Sequence, residues 1–465
     1  MHWQHVIKNG TVVTPSDSFK NNIYIHGGKI AAITSEDLPG EADEITNAEG
    51  KVVVPGFIDT HVHSRDGFNG AHYKEDFFHS SMAGACGGIT TIYEMPNCNP
   101  AIYNTEKLYQ LIECITPKAH IDFGVWGLCL GNANNSELPA LAKAGVVGFK
   151  FFWGYAIDAS TYQLIYNYKP GMENVIPPLD QSEVLKIFRE AARTGKMVAI
   201  HAENFDLIRL FTDEILSGTD RSYQAFLKSR PPLAEITIIE TAIAIAKHTG
   251  AHLHILHLAA GEAVDIIRRA QLQGVHVTAE TCPHYLTLTD SDGAKLGSTM
   301  KGYPPVRTAR DRELLWTGVR DGTISCICSD HAPHTIEEKN LPLFEAPAGM
   351  VAIETMVPLM LDAVYKNKIS ISTMVKVLSE QPAKLYGTYP NKGSLHIGTD
   401  ADIVIIDPDA SYVFDQNSLH SRTKLSPYHG MQMHGRVEKT ILRGNTIALN
   451  GEIVGKPIGQ FIKAK

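Results

Sequence analysis

A pair of histidines, His61 and His63, ends an apolar run in the segment "VVVPGFIDTHVHSRDG", and Arg65 follows two positions later. Alternate residues of a β-strand point to the same face, so both imidazoles can reach one metal ion. Such a pair on a single strand is more often incidental than a metal site. Its meaning therefore depends on which other side chains the fold brings beside it.

Four further apolar runs also end in a residue that can take part in chemistry. They are "AGVVGFK", ending in Lys150, "KMVAIH", ending in His201, "AHLHILH", ending in His257, and "TISCICSD", ending in Asp330. Taken singly, Lys150 is explained as a surface lysine or ion-pair partner, and Asp330 as a helix N-cap. Together with the histidine pair they are better explained as one site, provided that the strand ends meet.

The middle of the chain, residues 54–386, supplies elements that bring such ends together. Short runs rich in Val, Ile and Phe alternate with amphipathic helical patterns such as "SEVLKIFREAARTG" and "GEAVDIIRRAQLQG". This alternation predicts βα units and a parallel sheet. The length fits a (β/α)8 TIM barrel, in which the carboxyl ends of the strands form one face that carries the chemistry.

Both ends of the chain have a different pattern, that of short strands joined by turns. The segment "HVIKNGTVV" contains Asn9-Gly10, which predicts a hairpin, and "NNIYIHGGKIAAIT" contains Gly27-Gly28 in a similar position. Neither end has enough strands to be stable alone. We therefore expect residues 1–53 and 387–465 to form one composite β-sandwich domain beside a metal-dependent hydrolase barrel of residues 54–386.

Composition narrows the classes of partner. Among 465 residues the formal net charge is −8, and no run of Lys and Arg suits phosphates, which argues against nucleic acid. No apolar run is long enough for a membrane span, and the first residues do not have a signal-peptide pattern. Seven cysteines without framework spacing indicate reduced thiols and a cytoplasmic protein.

Lys150 is the unusual member of the strand-end set, because a protonated amine repels cations. Burial beside metals lowers the pKa of a lysine and exposes a neutral amine. A neutral amine can take up carbon dioxide to form an anionic, bidentate carbamate that bridges two metals. The set then fits a binuclear centre, with His61, His63 and Asp330 on one ion and His201 and His257 on the other. Nitrogen and oxygen ligands suit Zn²⁺, although Mn²⁺ and Co²⁺ also accept them.

The motifs "GFIDTHVH", "GFKFF", "HAEN", "ETCPHYL" and "SDHAPH" resemble those of the cyclic amidohydrolases. This group comprises dihydroorotases, hydantoinases with dihydropyrimidinases, and allantoinases, and the resemblance covers essentially the whole chain. It implies that the six strand-end residues are metal ligands and that Lys150 is carboxylated. It also implies a homodimer or homotetramer that acts on a small cyclic ureide.

The resemblance further implies a reaction. A hydroxide bridging the two metals attacks a ring amide carbonyl and opens the C–N bond. Asp330 takes the hydroxide proton and passes it to the leaving nitrogen, as general base and then acid. Tyr155, five positions after Lys150, matches the tyrosine with which hydantoinases and dihydropyrimidinases contact the oxyanion.

The identity of the ring rests on other positions. Arg65, Asn97 in "EMPNCNP" and His334 in "SDHAPHTIEEK" match the residues with which dihydroorotases hold the substrate carboxylate. An arginine fork, an amide and an imidazole around one carboxylate are chemically sensible. No apolar side-chain pocket is evident in their place. These positions favour a dihydroorotase-like enzyme. Arg307 in "KGYPPVR" is either a second anion contact or structural.

Other features favour the alternative, a hydantoinase, dihydropyrimidinase or allantoinase. Besides Tyr155, the motifs "HAEN" and "ETCPHYL" are more typical of those branches, and "DGFNG" after Arg65 differs from the Glu-Pro-Gly of dihydroorotases. A remote alternative is a non-catalytic scaffold like the collapsin-response mediator proteins, which resemble dihydropyrimidinases but have lost metal ligands. All six ligand positions are filled here, which favours the enzyme.

Overall fold

The computed structural model describes residues 2–165 and 168–465. Its strands are β1 (His2–Val13), β2 (Ser18–His26), β3 (Lys29–Thr34), β4 (Glu41–Asn47), β5 (Val52–Pro55), β6 (Phe57–Val62), β7 (Ile89–Glu94), β8 (Asp122–Val125), β9 (Gly127–Leu128), β10 (Phe149–Phe152), β11 (Ala156–Asp158), β12 (Leu164–Ile165), β13 (Val175–Ile176), β14 (Val198–His201), β15 (Leu253–Ile255), β16 (Val277–Thr281), β17 (Cys326–Ile327), β18 (Ile403–Val413), β19 (Gln432–Leu442), β20 (Asn445–Leu449) and β21 (Glu452–Ile453).

The α-helices lie mostly between the middle strands. They are α1 (Phe77–Cys86), α2 (Thr105–Ile115), α3 (Leu138–Ala144), α4 (Gln181–Thr194), α5 (Phe205–Ser217), α6 (Tyr223–Ser229), α7 (Pro232–Thr249), α8 (Ala263–Leu272), α9 (Pro283–Thr287), α10 (Gly293–Leu296), α11 (Ala309–Asp321), α12 (Ile336–Lys339), α13 (Ile353–Tyr365), α14 (Ile371–Val375) and α15 (Gln381–Leu385). Both helical patterns singled out in the sequence are helices, α4 and α8. In α4, Asp180 caps the first turn and Gly195 ends the helix in a left-handed conformation.

Strands from both ends of the chain form one nine-stranded sheet, with the order β21-β20-β19-β18-β5-β1-β2-β3 and with β4 paired to β1. The turn at Gly27-Gly28 joins β2 to β3 as predicted, with both glycines at positive φ. The hairpin predicted at Asn9-Gly10 is wrong. β1 runs straight through these residues, and Asn9, at φ 63°, marks a register shift against β2. The left-handed residue there makes a bulge because both flanking segments keep the same partner strand.

The middle strands are parallel, as the βα pattern predicts, except β11, β12 and β13, which form a small antiparallel sheet of their own. One sheet has the order β6-β7-β8 and the other β9-β10-β14-β15-β16-β17. The two parallel sheets meet where β8 is followed directly by β9 in the sequence. Between these strands, the amide of Trp126 donates to the carbonyl of Glu94 in β7. At the other end a parallel bridge joins Val62 to His331, just after β17. The carboxyl ends of these strands therefore meet around one region.

The interior is packed as the composition leads one to expect. The largest core cluster contains side chains from the parallel strands, from the helices around them and from the inner strands of the nine-stranded sheet. All seven cysteines are free thiols. Among the helices described, none is long and apolar enough to cross a membrane.

A buried ion cluster joins the two sheet systems. The ammonium of Lys392 lies 2.5 Å from Asp122 at the start of β8, 2.6 Å from Asp402 before β18 and 3.0 Å from Asp400. Arg443, after β19, also pairs with Asp122. The opposite charges hold the pKa of Lys392 above its usual value although burial opposes this. Removing the lysine would leave buried carboxylates without their cation.

We predict that Lys392→Met lowers the free energy of unfolding by about 3–5 kcal/mol, the usual cost of removing one partner of a buried ion pair. Thermal and urea unfolding would measure it. Lys29→Met is the matched control, because Lys29 pairs with the same Asp400 but its side chain is 46% exposed. Its loss should cost at most about 1 kcal/mol. Equal effects of the two changes would contradict the assigned importance of the buried cluster.

Candidate active site

The carboxyl ends of the parallel strands surround a pocket of about 510 Å³. Its lining includes every residue that the sequence predicted for the site, namely His61, His63, Arg65, Asn97, Lys150, Tyr155, His201, His257, Asp330 and His334. A pocket of this size suits a small ring with a substituent. The expected convergence of strand ends therefore places these side chains around one cavity.

The first group of candidate ligands comes from β6 and from the segment after β17. The Nε2 atoms of His61 and His63 lie 3.3 Å apart, and Asp330 Oδ1 lies 3.3 Å from the former and 3.7 Å from the latter. The remaining nitrogen of each ring has its own partner. Nδ1 of His61 is 2.8 Å from Glu280, and Nδ1 of His63 is 2.8 Å from Asn97 Oδ1.

These partners decide which atoms point inward. Glu280 Oε1 and Asn97 Oδ1 accept, so each imidazole places its proton on Nδ1 and presents a lone pair at Nε2. The two lone pairs and the Asp330 carboxylate then converge without a proton between them. Three electron-pair donors this close repel one another unless a cation lies among them, and imidazole with carboxylate is a preferred donor set for Zn²⁺. The residues present therefore fit a metal ion.

The second group comes from β10, β14 and the end of β15. Nδ1 of His201 lies 3.0 Å from Nε2 of His257, and Nε2 of His201 is 2.8 Å from Glu203. His257 Nδ1 is buried with no hydrogen-bond partner among the described residues. Lys150 is 1% exposed. Burial lowers the pKa of Lys150 to about 7, against the opposing attraction of Asp330. A neutral amine is thus available at neutral pH.

Three residues of the site adopt left-handed backbone. The φ angle is 58° at Arg65, 34° at His257 and 48° at Asp330. This conformation is uncommon for residues other than glycine and costs of order 1–3 kcal/mol. His257 and Asp330 lie just beyond the last ladder residues of β15 and β17. The left-handed backbone therefore turns the chain sharply where it leaves each strand. The surrounding contacts must hold them there.

A buried network of two carboxylates and two guanidinium groups supports the second group. Arg230 donates to both oxygens of Glu203, at 3.1 and 2.5 Å. Burial alone would raise the pKa of Glu203, but Arg230 and His201 hold it down to about 2. Glu203 thus stays ionised and fixes the His201 ring with Nδ1 inward.

Arg307, which the sequence left as either an anion contact or a structural residue, belongs to the same network. Its side chain donates to Glu235 at 3.1 Å and to the carbonyl of Arg230 at 2.9 Å. Glu235 in turn accepts from the amides of Ala259 and Ala260, just after His257. Arg307 therefore has a structural role that holds the chain behind the second group.

The residues predicted to bind a carboxylate have partners of their own. His334 Nε2 lies 3.0 Å from the carbonyl of Ala348, and its Nδ1 lies 3.1 Å from Lys74 Nζ. Burial, with Arg65 and Lys74 nearby, lowers the pKa of His334 to about 2, so the ring is neutral. Both of its nitrogens are engaged, and the oxygen of Asn97 is bonded to His63. Arg65 differs, because its Nε is buried without a hydrogen-bond partner among the described residues.

The pocket lining also contains large apolar and aromatic side chains, which the sequence did not lead us to expect. They are Phe152, Leu164 in β12, Tyr303 and Phe344, here called the apolar wall. Tyr155 also lines the pocket, with its hydroxyl 3.5 Å from Nε2 of His201. The pocket thus combines the candidate metal ligands with a cationic corner and an apolar wall.

The supporting residues were not predicted from the sequence. Glu203 lies in "HAEN" two positions after His201, and Glu280 is the first residue of "ETCPHYL". Both motifs are apparent in the sequence, but neither motif by itself assigns a role to its carboxylate. A buried acidic residue directly beside a predicted ligand, or at a strand end that faces one, is the signal that could have found them.

We predict that Glu203→Gln weakens retention of divalent metal by about 10–100-fold, because the amide no longer fixes the His201 ring. Metal content after dialysis against a graded chelator would measure this. Glu190→Gln is the control, since Glu190 pairs with Arg193, whose side chain is 77% exposed. Unchanged metal retention in Glu203→Gln would contradict the positioning role.

Comparison with known proteins agrees with this picture. A model described as the Amidohydrolase family matches residues 52–447. An L-hydantoinase from Paenarthrobacter aurescens is 33% identical over 462 residues, which are 98% of this chain and 97% of the relative. An allantoinase from Rubrobacter xylanophilus is 33% identical over 465 residues, again 98% of this chain and 97% of the relative.

Solved structures give the same result. An L-hydantoinase (dihydropyrimidinase) from Arthrobacter aurescens matches with a TM-score of 0.92 and 32% identity, over 99% of this chain and 100% of that chain. A D-hydantoinase matches with a TM-score of 0.89 and 30% identity, over 99% of both chains. The chain therefore belongs to the amidohydrolase family, and within it to the cyclic amidohydrolases, hydrolases that act on C–N bonds of cyclic amides.

Proposed function

We propose that this enzyme opens the ring of a cyclic ureide of the hydantoin or allantoin type. The relatives named hydantoinase and allantoinase are about one-third identical to this chain, and the match covers nearly their whole length. The dihydroorotase-like assignment favoured by Arg65, Asn97 and His334 has less support, because these relatives carry the other names and because Nε2 of His334 already bonds the carbonyl of Ala348. The apolar wall gives a ring substituent a surface to pack on. The convergence of His61 Nε2, His63 Nε2 and Asp330 Oδ1 is the observation that carries the hydrolytic proposal.

The proposal includes two divalent ions, with Zn²⁺ as the first choice. Amidohydrolase family members are binuclear metal enzymes. We assign His61, His63 and Asp330 to one ion, His201 and His257 to the other, and Lys150 between them. When bound, the ions supply Lewis acidity that lowers the pKa of water and polarises the ring carbonyl.

Lys150 would act as a carbamate. Its neutral amine adds to carbon dioxide, forming an N–C bond and releasing one proton, which yields a carboxylate in place of a repelling cation. The low pKa that burial imposes on this lysine supports the step. Phe152, whose ring lies 4.6 Å from Nζ, helps to exclude water from the group.

Two side chains would carry the remaining chemistry. Asp330 is held close to both histidines of the first group, where its carboxylate can accept the proton of the attacking water and deliver it to the leaving ring nitrogen. Tyr155, which lines the pocket, would donate a hydrogen bond to the carbonyl oxygen as charge develops on it. The ring then opens to a carbamoyl or related amino acid.

We further propose that the parallel strands form a closed eight-stranded barrel. The bridge between Val62 and His331 and the continuity through β8 and β9 support this. Residues 1–53 and 387–465 would form the composite β-sandwich domain, and residues 54–386 the barrel. A homodimer or homotetramer is the expected assembly, which light scattering after gel filtration would measure.

We predict that Lys150→Ala abolishes ring opening and lowers the amount of bound metal, because the bridge between the two ions is lost. Metal analysis and activity are measured on the same preparation. Adding short carboxylic acids should partly restore activity by occupying the place of the carbamate. Full activity with normal metal content in Lys150→Ala would rule out the bridging role.

A substrate panel tests the ring assignment. The wild-type enzyme is assayed on hydantoin, a 5-substituted hydantoin, allantoin, dihydrouracil and dihydroorotate, with ring opening followed by absorbance or product detection. We expect turnover of hydantoin-type or allantoin-type rings above that of dihydroorotate. A clear preference for dihydroorotate would restore the dihydroorotase assignment, and turnover of none would contradict the proposed function.

We predict that Arg65→Met discriminates between charged and neutral rings. The partly buried guanidinium of Arg65, which lies near His334, suits a carboxylate, and a charge-assisted hydrogen bond contributes about 1.5–3 kcal/mol. kcat/KM for dihydroorotate or for hydantoin-5-acetate should therefore fall about ten- to a hundredfold. The value for unsubstituted hydantoin should change little. An equal loss on both kinds of ring would show that Arg65 does not recognise the substituent.

A further inference from the structure

One wall of the pocket is a segment without regular secondary structure. Residues 343–349, here called the wall segment, lie between α12 and α13, and all but the first of them line the pocket. Such a segment has no ladder of backbone hydrogen bonds to fix it. Its position nevertheless affects the room that the pocket offers, because six of its residues line the pocket.

The amides of Glu345 and Ala346 donate to the carbonyl of Pro342, and two buried lysines supply further hydrogen bonds to the segment's carbonyls. Lys301, 1% exposed, donates from Nζ to the carbonyls of Leu343 at 2.7 Å, Ala346 at 2.5 Å and Phe344 at 3.4 Å. An ammonium group has three protons, so its donors are matched to these three oxygens.

Lys339, 3% exposed, completes the arrangement from the end of α12. Its Nζ donates to the carbonyls of Gly349 at 2.8 Å and Pro347 at 3.2 Å, and to that of Lys301 at 3.5 Å. The amide of Gly349 donates to the same Lys301 carbonyl at 2.9 Å. The two Nζ groups thus hold both halves of the wall segment and are linked to each other through the backbone of Lys301.

The chemistry of these lysines is unusual for buried cations. Lys392 has carboxylate partners, whereas in the described part of the chain Lys301 and Lys339 bond only carbonyl oxygens through Nζ. Burial lowers the pKa of Lys301 to about 8 and that of Lys339 to about 7, which shows how unfavourable these burials are. A fold that only needed to fill this space would use apolar side chains.

We propose that Lys301 and Lys339 are positioning residues that fix the wall segment and thereby set which ring substituents the pocket admits. This inference rests on the proposed function for its substrate. Phe344 is the segment's large apolar side chain in the pocket, and Lys301 bonds its carbonyl directly. Loss of either lysine should leave the candidate metal ligands in place but let this wall move.

The test has a structural arm and a kinetic arm, applied to Lys301→Met and Lys339→Met. Hydrogen–deuterium exchange of the substrate-free protein should become at least about tenfold faster in peptides covering residues 343–349, because several hydrogen bonds are lost, and should change little elsewhere. KM for a 5-substituted hydantoin should rise about tenfold. kcat for unsubstituted hydantoin should change less than about twofold, since the reacting groups are untouched.

Controls separate local from general effects. Lys439→Met removes a lysine that is 9% exposed and bonds Glu44 and Thr46 in the nine-stranded sheet. It should alter stability without faster exchange of the wall segment. Lys339→Gln keeps two amide donors and should give a smaller increase, which provides a milder variant if Lys339→Met does not fold.

Two outcomes overturn the proposal. The first is that residues 343–349 exchange no faster in the Lys301 and Lys339 variants than in the wild-type protein, or no faster than in Lys439→Met. The other is a fall in kcat on unsubstituted hydantoin with KM for the substituted ring unchanged. If the wild-type enzyme opens no ring of the panel, the proposed function fails, whereas the exchange arm still decides whether the lysines fix the segment.

Discussion

The convergence of electron-pair donors inside a buried pocket is the constraint on which the rest of the site depends. Nε2 of His61, Nε2 of His63 and Oδ1 of Asp330 face one another within 3.7 Å. A fold does not gather such groups without cost, because each lone pair is desolvated and repels its neighbours. The arrangement is reasonable only with a cation at its centre. The candidate metal site therefore explains the three residues together better than separate roles for each.

This constraint extends one layer outward. A histidine presents its inner nitrogen as a lone pair only when its outer nitrogen carries the proton, and Glu280, Asn97 and Glu203 fix this for three of the rings. Glu203 is itself a buried charge that needs Arg230. Arg307 and Glu235 then hold the neighbouring strand end. Much of the polar interior behind the pocket is thus a consequence of orienting a few imidazoles.

The candidate metal ligands were predictable from the sequence. The residues that orient them, such as Glu280 and Glu203, were not. Apolar runs that end in histidine, lysine or aspartate are visible locally, and the parallel sheet guarantees that their ends meet. Glu280 lies more than two hundred positions from the His61 that it orients, so no local pattern connects them. The hairpin predicted at Asn9-Gly10 is wrong for a related reason. A left-handed residue forms either a hairpin turn or a bulge, and the surrounding strands decide which of the two forms. Lys301 and Lys339 have no sequence signature, since their partners are backbone carbonyls.

The choice of ring shows why matching single positions is weaker evidence than matching environments. His334 occupies a position where a dihydroorotase would bind a carboxylate, but Lys74 and Ala348 occupy both of its nitrogens. Asn97 is different, because its contact with His63 uses the amide oxygen and not the N–H donors that a carboxylate needs. A side chain that already has its hydrogen-bond partners must lose them to bind a ligand, which removes most of the gain. Of the three side chains that match the dihydroorotase pattern, Arg65 has a buried Nε donor without a hydrogen-bond partner among the described residues. The pocket therefore has two separable parts. The candidate metal ligands open a cyclic amide, whereas Arg65 and the wall segment select its substituent.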